Sequence, residues 1–303
     1  MDRRTFLKRS LAGAGVVAGL GPLATRTWAE GKPEGGPSKQ GVLKLGSQEG
    51  RIPGKSLREK VLRLAEWGGV GLEVGGNPRN RIKQIQEAIK GTKVKVSALC
   101  WGSAGGALVS PDKDRRNKGI EAMKSALETA GELGSTGVIF VPCFHRQSKL
   151  KPDELDKILL DILPAIGEFA QKCRSRVLLE PLNRRETFYI KTLGHAARIC
   201  QQLNHPGLCM MGDFYHMGIE EKDDEAAFVA GGRWVHHVHL ASRTRKLPGQ
   251  DERSFVAGFR GLKRIGYQDY CSLECGIKRG TKPEEAIPAS FRFLEKQWAE
   301  AKI

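Results

Sequence analysis

Short apolar runs alternate with longer amphipathic stretches along most of this chain. The runs at 42–46, 70–74, 94–100, 137–142, 176–179, 208–212, 235–238 and 270–273 are bounded by polar residues and read as buried parallel strands. Between them, apolar residues recur at helical spacing. Ser56 can cap a helix running to Trp67, and a second runs from Asn80 to Lys90, closed by Gly91. Ile120, Met123, Leu127, Ala130 and Leu133 form one face of a third. The clearest carries Leu155, Ile158, Leu159, Ile162, Leu163, Ile166 and Phe169, with a kink expected at Pro164. Further helices are expected near 193–203, 223–230, 255–265 and 282–301, the last opened by Pro283. Eight strands alternating with eight helices predict an α/β fold, a single (β/α)8 TIM barrel over residues 41–303. An open doubly wound sheet is disfavoured, because no GxGxxG opens the first helix.

Four of these strands run into a polar residue that a buried strand has to account for. They lead into Glu180, Asp213, His239 and Glu274. A bare carboxylate at the edge of a core is costly unless it is paired or binds a metal. One such residue alone is explained as well by capping the next helix. Four together point to a site, since the carboxyl ends of barrel strands converge on one mouth. Glu73, near the end of the second strand, and Trp101, after the third, are placed to reach that mouth and touch substrate; purely structural roles stay open for both. His145 after the fourth strand is in the same position. His236 and His237 lie within their strand and read as packed or supporting, and His195 and His205 as structural.

The start of the chain changes the domain picture. Asp2-Arg3-Arg4-Thr5-Phe6-Leu7-Lys8 is a twin-arginine pattern, followed by an apolar run from Leu11 to Leu23 and a small-x-small end at Thr27-Trp28-Ala29. Thirteen residues are too few to cross the roughly 30 Å hydrocarbon core as a helix. Residues 1–29 therefore read as a twin-arginine signal peptide and 30–40 as a Gly/Pro/Ser-rich linker, which predicts export to the periplasm with no stable membrane span. The formal charge is +16, of which the first 29 residues contribute +4. The basic residues are scattered over the expected helices, and no aromatic–basic interleaving of the kind nucleic acids need is present. The seven cysteines include no CxxC pair, which argues against a zinc ribbon; export leaves room for a disulfide that spacing cannot assign.

Two glutamates, an aspartate and a histidine make an oxygen-rich set. It suits one divalent cation, Mn²⁺ first, with Mg²⁺ and Co²⁺ also fitting, better than structural zinc. Open coordination positions would accept two adjacent oxygens of a hydroxy-ketone and stabilise the enediolate left by proton loss. Glu180 and Glu274, the first and last of the four, are the pair expected to exchange that proton.

These motifs resemble a known family. Glu180-Pro181-Leu182-Asn183-Arg184 with Glu186, Asp213-Phe214-Tyr215-His216-Met217-Gly218, His239 with Arg245 six residues on, and Ser272-Leu273-Glu274-Cys275 resemble the corresponding segments of ketose 3-epimerases, within the wider xylose isomerase-like barrels. The resemblance implies that Glu180, Asp213, His239 and Glu274 bind the metal, that Glu180 and Glu274 act as acid and base, and that His216 and Arg245 hold substrate oxygens with support from Glu186. It implies an isomerase or epimerase acting on a sugar or polyol ketone, and a homo-oligomer is compatible with it. Arg185 stands where those epimerases usually carry an aromatic, and the stretch after Pro248-Gly249 differs, so the substrate stays open. A lyase or dehydratase acting on a 3-keto sugar or cyclic polyol would use the same site. A DNA-repair endonuclease of this barrel type would need further histidines, and residues 246–262 contain none. A periplasmic sugar binder without turnover is the remaining alternative.

Overall fold

The computed structural model describes residues 40–303. The signal peptide and nearly all of the linker expected before residue 41 lie outside the described residues. Eight parallel strands close into a barrel in sequence order: β1 (Lys44–Gln48), β2 (Gly71–Gly75), β3 (Lys95–Gly102), β4 (Val138–Phe140), β5 (Val177–Leu179), β6 (Leu208–Asp213), β7 (Val235–Leu240) and β8 (Tyr270–Leu273). The ring closes where Lys44 to Ser47 of β1 pair with Tyr270 to Leu273 of β8. The middle strands are buried along their length, as both faces of a parallel barrel are covered. Gly46 permits close approach inside the ring: a Cβ there would lie 2.4 Å from the Gly71 carbonyl oxygen.

The expected helices are present, with one addition. They are α1 (Leu57–Glu66), α2 (Ile82–Ile89), α3 (Lys113–Glu132), α4 (Pro152–Lys172), α5 (Leu193–Leu203), α6 (Phe214–Glu220), α7 (Asp224–Gly231), α8 (Val256–Arg264) and α9 (Pro283–Glu300). Ser56 caps α1, its hydroxyl accepting from the Glu59 amide. α4 continues through Pro164 as one helix. The addition is α6, a short helix starting on the residue after Asp213 and capped by that side chain. Several strand ends also differ from expectation, and Asp213 lies inside β6 rather than beyond it. β1 runs on to Gln48, β3 takes in Trp101 and Gly102, and His239 lies inside β7 rather than beyond it.

Register decides which side chains meet. Asp213 pairs with His239, and His239 with Ser272, so Glu274 two residues on shares their face. Leu178 pairs with Cys209, which puts Glu180 on the same face as Asp213. Gly46 pairs with Ser272 and Gln48 with Glu73, so both of these join them. Period-two alternation thus aims six polar side chains, from four strands and the residues just beyond two more, into one end of the barrel.

Candidate metal centre

Glu180, Asp213, His239 and Glu274 each offer a ligand atom, and those four atoms lie within 4.8 Å of one another. Asp213 and His239 are fully buried, Glu180 is 5 % exposed and Glu274 lies at the opening. His239 Nδ1 faces the middle of the set, 3.2 Å from Glu274 Oε2, 3.5 Å from Glu180 Oε1 and 3.9 Å from Asp213 Oδ2. None of these contacts is an aligned hydrogen bond, so Nδ1 and Asp213 Oδ2 are buried without partners. Orphaned buried polar atoms are rare and call for an explanation. A divalent cation supplies one: three carboxylates and one imidazole are the donors a hard or borderline cation takes.

Electrostatics tell the same story. Burial pushes the Asp213 carboxyl up to about 7, and the Glu274 charge pushes the same way. Burial likewise raises Glu180. Burial opposes ionisation of Glu274 too, but His239 and Arg245 outweigh it and hold that carboxyl down to about 2. His239 lies well above the usual imidazole value: burial disfavours its charge, and Glu73 and Glu274 overrule it. The acidic groups around His239 thus favour a positive charge at the centre of the cluster.

Glu73, for which the sequence left a substrate-facing and a structural role open, has its carboxylate turned to its neighbours. It is 1 % exposed and sits behind His239, with Oε2 accepting from His239 Nε2 at 2.9 Å and His237 Nε2 at 2.7 Å. Its Oε1 accepts from Gln48 Nε2 at 2.9 Å. Both of its oxygens are thus engaged by neighbouring side chains. The compact Glu73–His237–His239 group is therefore a hydrogen-bonded support rather than a second ion site, and it fixes the His239 ring with Nδ1 toward the centre. His236, one residue away, pairs instead with Asp269 at 2.7 Å.

Buried His216 and half-exposed Arg245 lie beside the cluster. His216 Nδ1 accepts from the Asn183 amide at 3.1 Å, which leaves the ring hydrogen on Nε2. That Nε2 lies 3.4 Å from Asp213 Oδ2 and 3.1 Å from Arg245 Nη1. Two donors thus face each other with no acceptor between them. Arg245 Nη2 donates to Glu274 Oε2 at 2.6 Å, and its guanidinium lies 4.6 Å from the Tyr215 ring centre. Arg245 has φ +54°, a left-handed backbone that is costly for a residue with a side chain and is found where geometry serves a site. Glu186 is half-exposed, accepting from Asn183 Nδ2 at 3.3 Å and lying 3.9 Å from Arg245 Nη1. Trp101 is half-buried within β3, its ring 6.2 Å from that of Phe140. His145 ties two loops together, its amide donating to the Glu186 carbonyl at 2.8 Å.

Two neighbours of the cluster were not anticipated from the sequence. Gln48 Nε2 also donates to Glu274 Oε1 at 3.0 Å, and the Cys100 thiol lies 3.9 Å from the same oxygen. Gln48 carried the same signal as the others, a polar residue ending an apolar run, but that run was ended two residues early at Gly46. Cys100 carried none, because buried cysteine reads as a small apolar residue.

Comparison with known proteins adds an independent line. A family model described as xylose isomerase-like TIM barrel matches residues 61–297. A 3-dehydro-D-guloside 4-epimerase from Escherichia coli is 31 % identical over 264 residues, covering 83 % of this chain and 99 % of that protein. A probable ketose 3-epimerase from Synechocystis is 25 % identical, covering 69 % and 74 %. Among solved structures, the apo form of a 3-keto-D-glucoside 4-epimerase from E. coli superposes with TM-score 0.77 at 29 % identity, over 84 % of this chain and all of that one.

Proposed function

This chain belongs to the xylose isomerase-like TIM barrel family, and from that premise we propose that it is a divalent-metal-dependent epimerase of keto sugars that moves a proton between Glu180 and Glu274. The observation that carries the reading is the set of four ligand atoms within 4.8 Å, three of them on buried residues and two without hydrogen-bond partners. Relatives named as sugar epimerases support the reaction class, and the one matched along nearly its whole length favours a 3-keto glycoside. Glu180, Asp213, His239 and Glu274 would hold the ion, with Mn²⁺ our first choice on donor hardness. Bound there, the cation supplies Lewis acidity to neighbouring oxygens and offsets the charge that proton loss creates.

The protein's own groups do the rest. One glutamate removes the hydrogen of the carbon beside the ketone as a proton, leaving the electron pair delocalised onto the carbonyl. The other delivers a proton to the opposite face of that carbon, which inverts it with no net change in composition. A substrate oxygen approaching from the side within reach of both would accept from the neighbouring donors His216 Nε2 and Arg245 Nη1. Glu73, Gln48 and His237 keep the ligands aimed. Trp101 and Glu186 are proposed to border the substrate more loosely.

The test is incubation with Mn²⁺ and a panel of keto sugars in deuterated water. One deuterium beside the ketone, in both epimers, is the expected result. Loss of water from the product would instead establish a dehydratase, and no exchange across the panel would sink the reading. We also propose export through the twin-arginine segment and cleavage after Ala29, to be checked by N-terminal sequencing of the periplasmic fraction.

A further inference from the structure

We infer that Gln48 is a positioning residue whose single amide nitrogen fixes two carboxylates at once, Glu73 behind the ion site and Glu274 within it. The inference rests on the metal-site reading above. Gln48 ends β1 and faces inward beside Glu73 by register. Its Nε2 carries two hydrogens, one for Glu73 Oε1 at 2.9 Å and one for Glu274 Oε1 at 3.0 Å. Glu73 Oε2 in turn accepts from His239 and His237. The result is a closed bracket: Glu274 to Gln48, Gln48 to Glu73, Glu73 to His239, and His239 Nδ1 back to within 3.2 Å of Glu274 Oε2.

Each link sets an atom that the site uses. With Oε1 of Glu274 occupied by the amide, Oε2 is the oxygen left to face the centre. With Oε1 of Glu73 occupied, Oε2 is the oxygen that serves both histidines and holds the His239 ring. Few side chains can replace this amide. Leucine gives no hydrogen and leaves two acceptors bare. Asparagine is one carbon shorter and cannot reach both. Glutamate has the right shape, but at neutral pH it has no hydrogen to donate and adds a fourth carboxylate to the three at the centre.

The glutamate variant separates positioning from charge. If Gln48 mattered only through local charge, Gln48→Glu would tighten binding of a cation. If it positions, Gln48→Glu and Gln48→Leu both weaken binding, by about 10–100-fold, the usual cost of losing an outer partner of a metal ligand. Mn²⁺ dissociation constants for wild type and both variants are measured by electron paramagnetic resonance of free Mn²⁺. At saturating Mn²⁺, with the keto sugar that wild type turns over, kcat should stay at least about tenfold low while KM moves less than about threefold, since the misplaced Glu274 acts on the reacting proton rather than on binding. Circular dichroism melting monitors folding, and if Gln48→Leu does not fold, the nearly isosteric Gln48→Glu carries the test. Unchanged Mn²⁺ affinity and kcat, or tighter Mn²⁺ binding by Gln48→Glu, overturns the inference alone. A wild type that binds no Mn²⁺ overturns the metal-site reading and this inference with it.

Discussion

Asp213→Asn should change the protein's stability in opposite directions with and without metal. Asp213 has two oxygens in two situations. Oδ1 accepts from the Tyr215 amide at 2.7 Å and caps α6, while Oδ2 is buried with no partner. Asparagine keeps an oxygen for the cap and replaces the anionic Oδ2, clustered with the Glu180 and Glu274 carboxylates, by a neutral NH2. In chelator the variant loses one of three crowded carboxylates and an orphaned acceptor, a gain of about 1–3 kcal/mol. At 2–4 °C per kcal/mol for a domain of this size, its melting temperature should rise by about 2–12 °C. With Mn²⁺ at a hundred times its dissociation constant, wild type should gain about 2.7 kcal/mol by mass action, or about 5–11 °C. The variant, short of a ligand, should gain little, so the order of the two proteins inverts. Differential scanning fluorimetry in EDTA and in Mn²⁺ reads both effects. A variant less stable than wild type in EDTA, together with a wild type unmoved by Mn²⁺, would refute the account of Oδ2.

Glu180→Gln and Glu274→Gln should each lower kcat by about 10²–10⁴-fold, as expected for loss of a general acid or base, with deuterium exchange falling in parallel. Exchange at wild-type rate in either variant would remove that glutamate from the proton path. Phe214, fully buried among Phe228, Phe255 and Phe259 at ring distances of 5.4, 4.8 and 5.8 Å, should cost about 3–5 kcal/mol when changed to alanine, read by urea unfolding. Asp251 supplies a pH effect away from the centre. Burial raises its carboxyl, but hydrogen bonds from Ser242, the Arg253 amide and Thr244 outweigh that and hold it at about 2. A lowered folded value stabilises above the ordinary value of 3.8 and is lost as pH falls through 2. Asp251→Ala should therefore cost about 1 kcal/mol at pH 7, discounted for its partial exposure, and much less near pH 2.5 by the same unfolding assay.

The barrel was legible because its signal is repetitive. A buried parallel strand cannot hide its apolar run, and each helix between strands must show a face, so eight weak readings reinforced one another. Strand ends were less legible, because polarity marks where burial stops and the ligands themselves are buried polar residues. His239 was placed beyond β7 for that reason although it lies within it. At Glu73 the sequence shows a strand end but not that His237 and His239 close over its carboxylate. The helix α6 escaped notice because its seven residues are too few for a periodic face to stand out.

Capping and ligation are rival explanations for an acid at a strand end, and the structure shows how far each reaches. At Asp213 both hold, since one oxygen caps α6 and the other faces the cluster. Elsewhere capping fails. The residue capping α5 is Thr192, the residue before α8 is Phe255 and the residue before α9 is Lys282, so Glu180, His239 and Glu274 cap none of the helices that follow them. A fold needing only helix caps would have no reason to bury three further ionisable groups against one another at the mouth. Their mutual approach costs stability in the absence of a counter-charge, because carboxylates removed from water repel without screening. That cost falls where something positive is held among them, at the point that His239 Nδ1 faces.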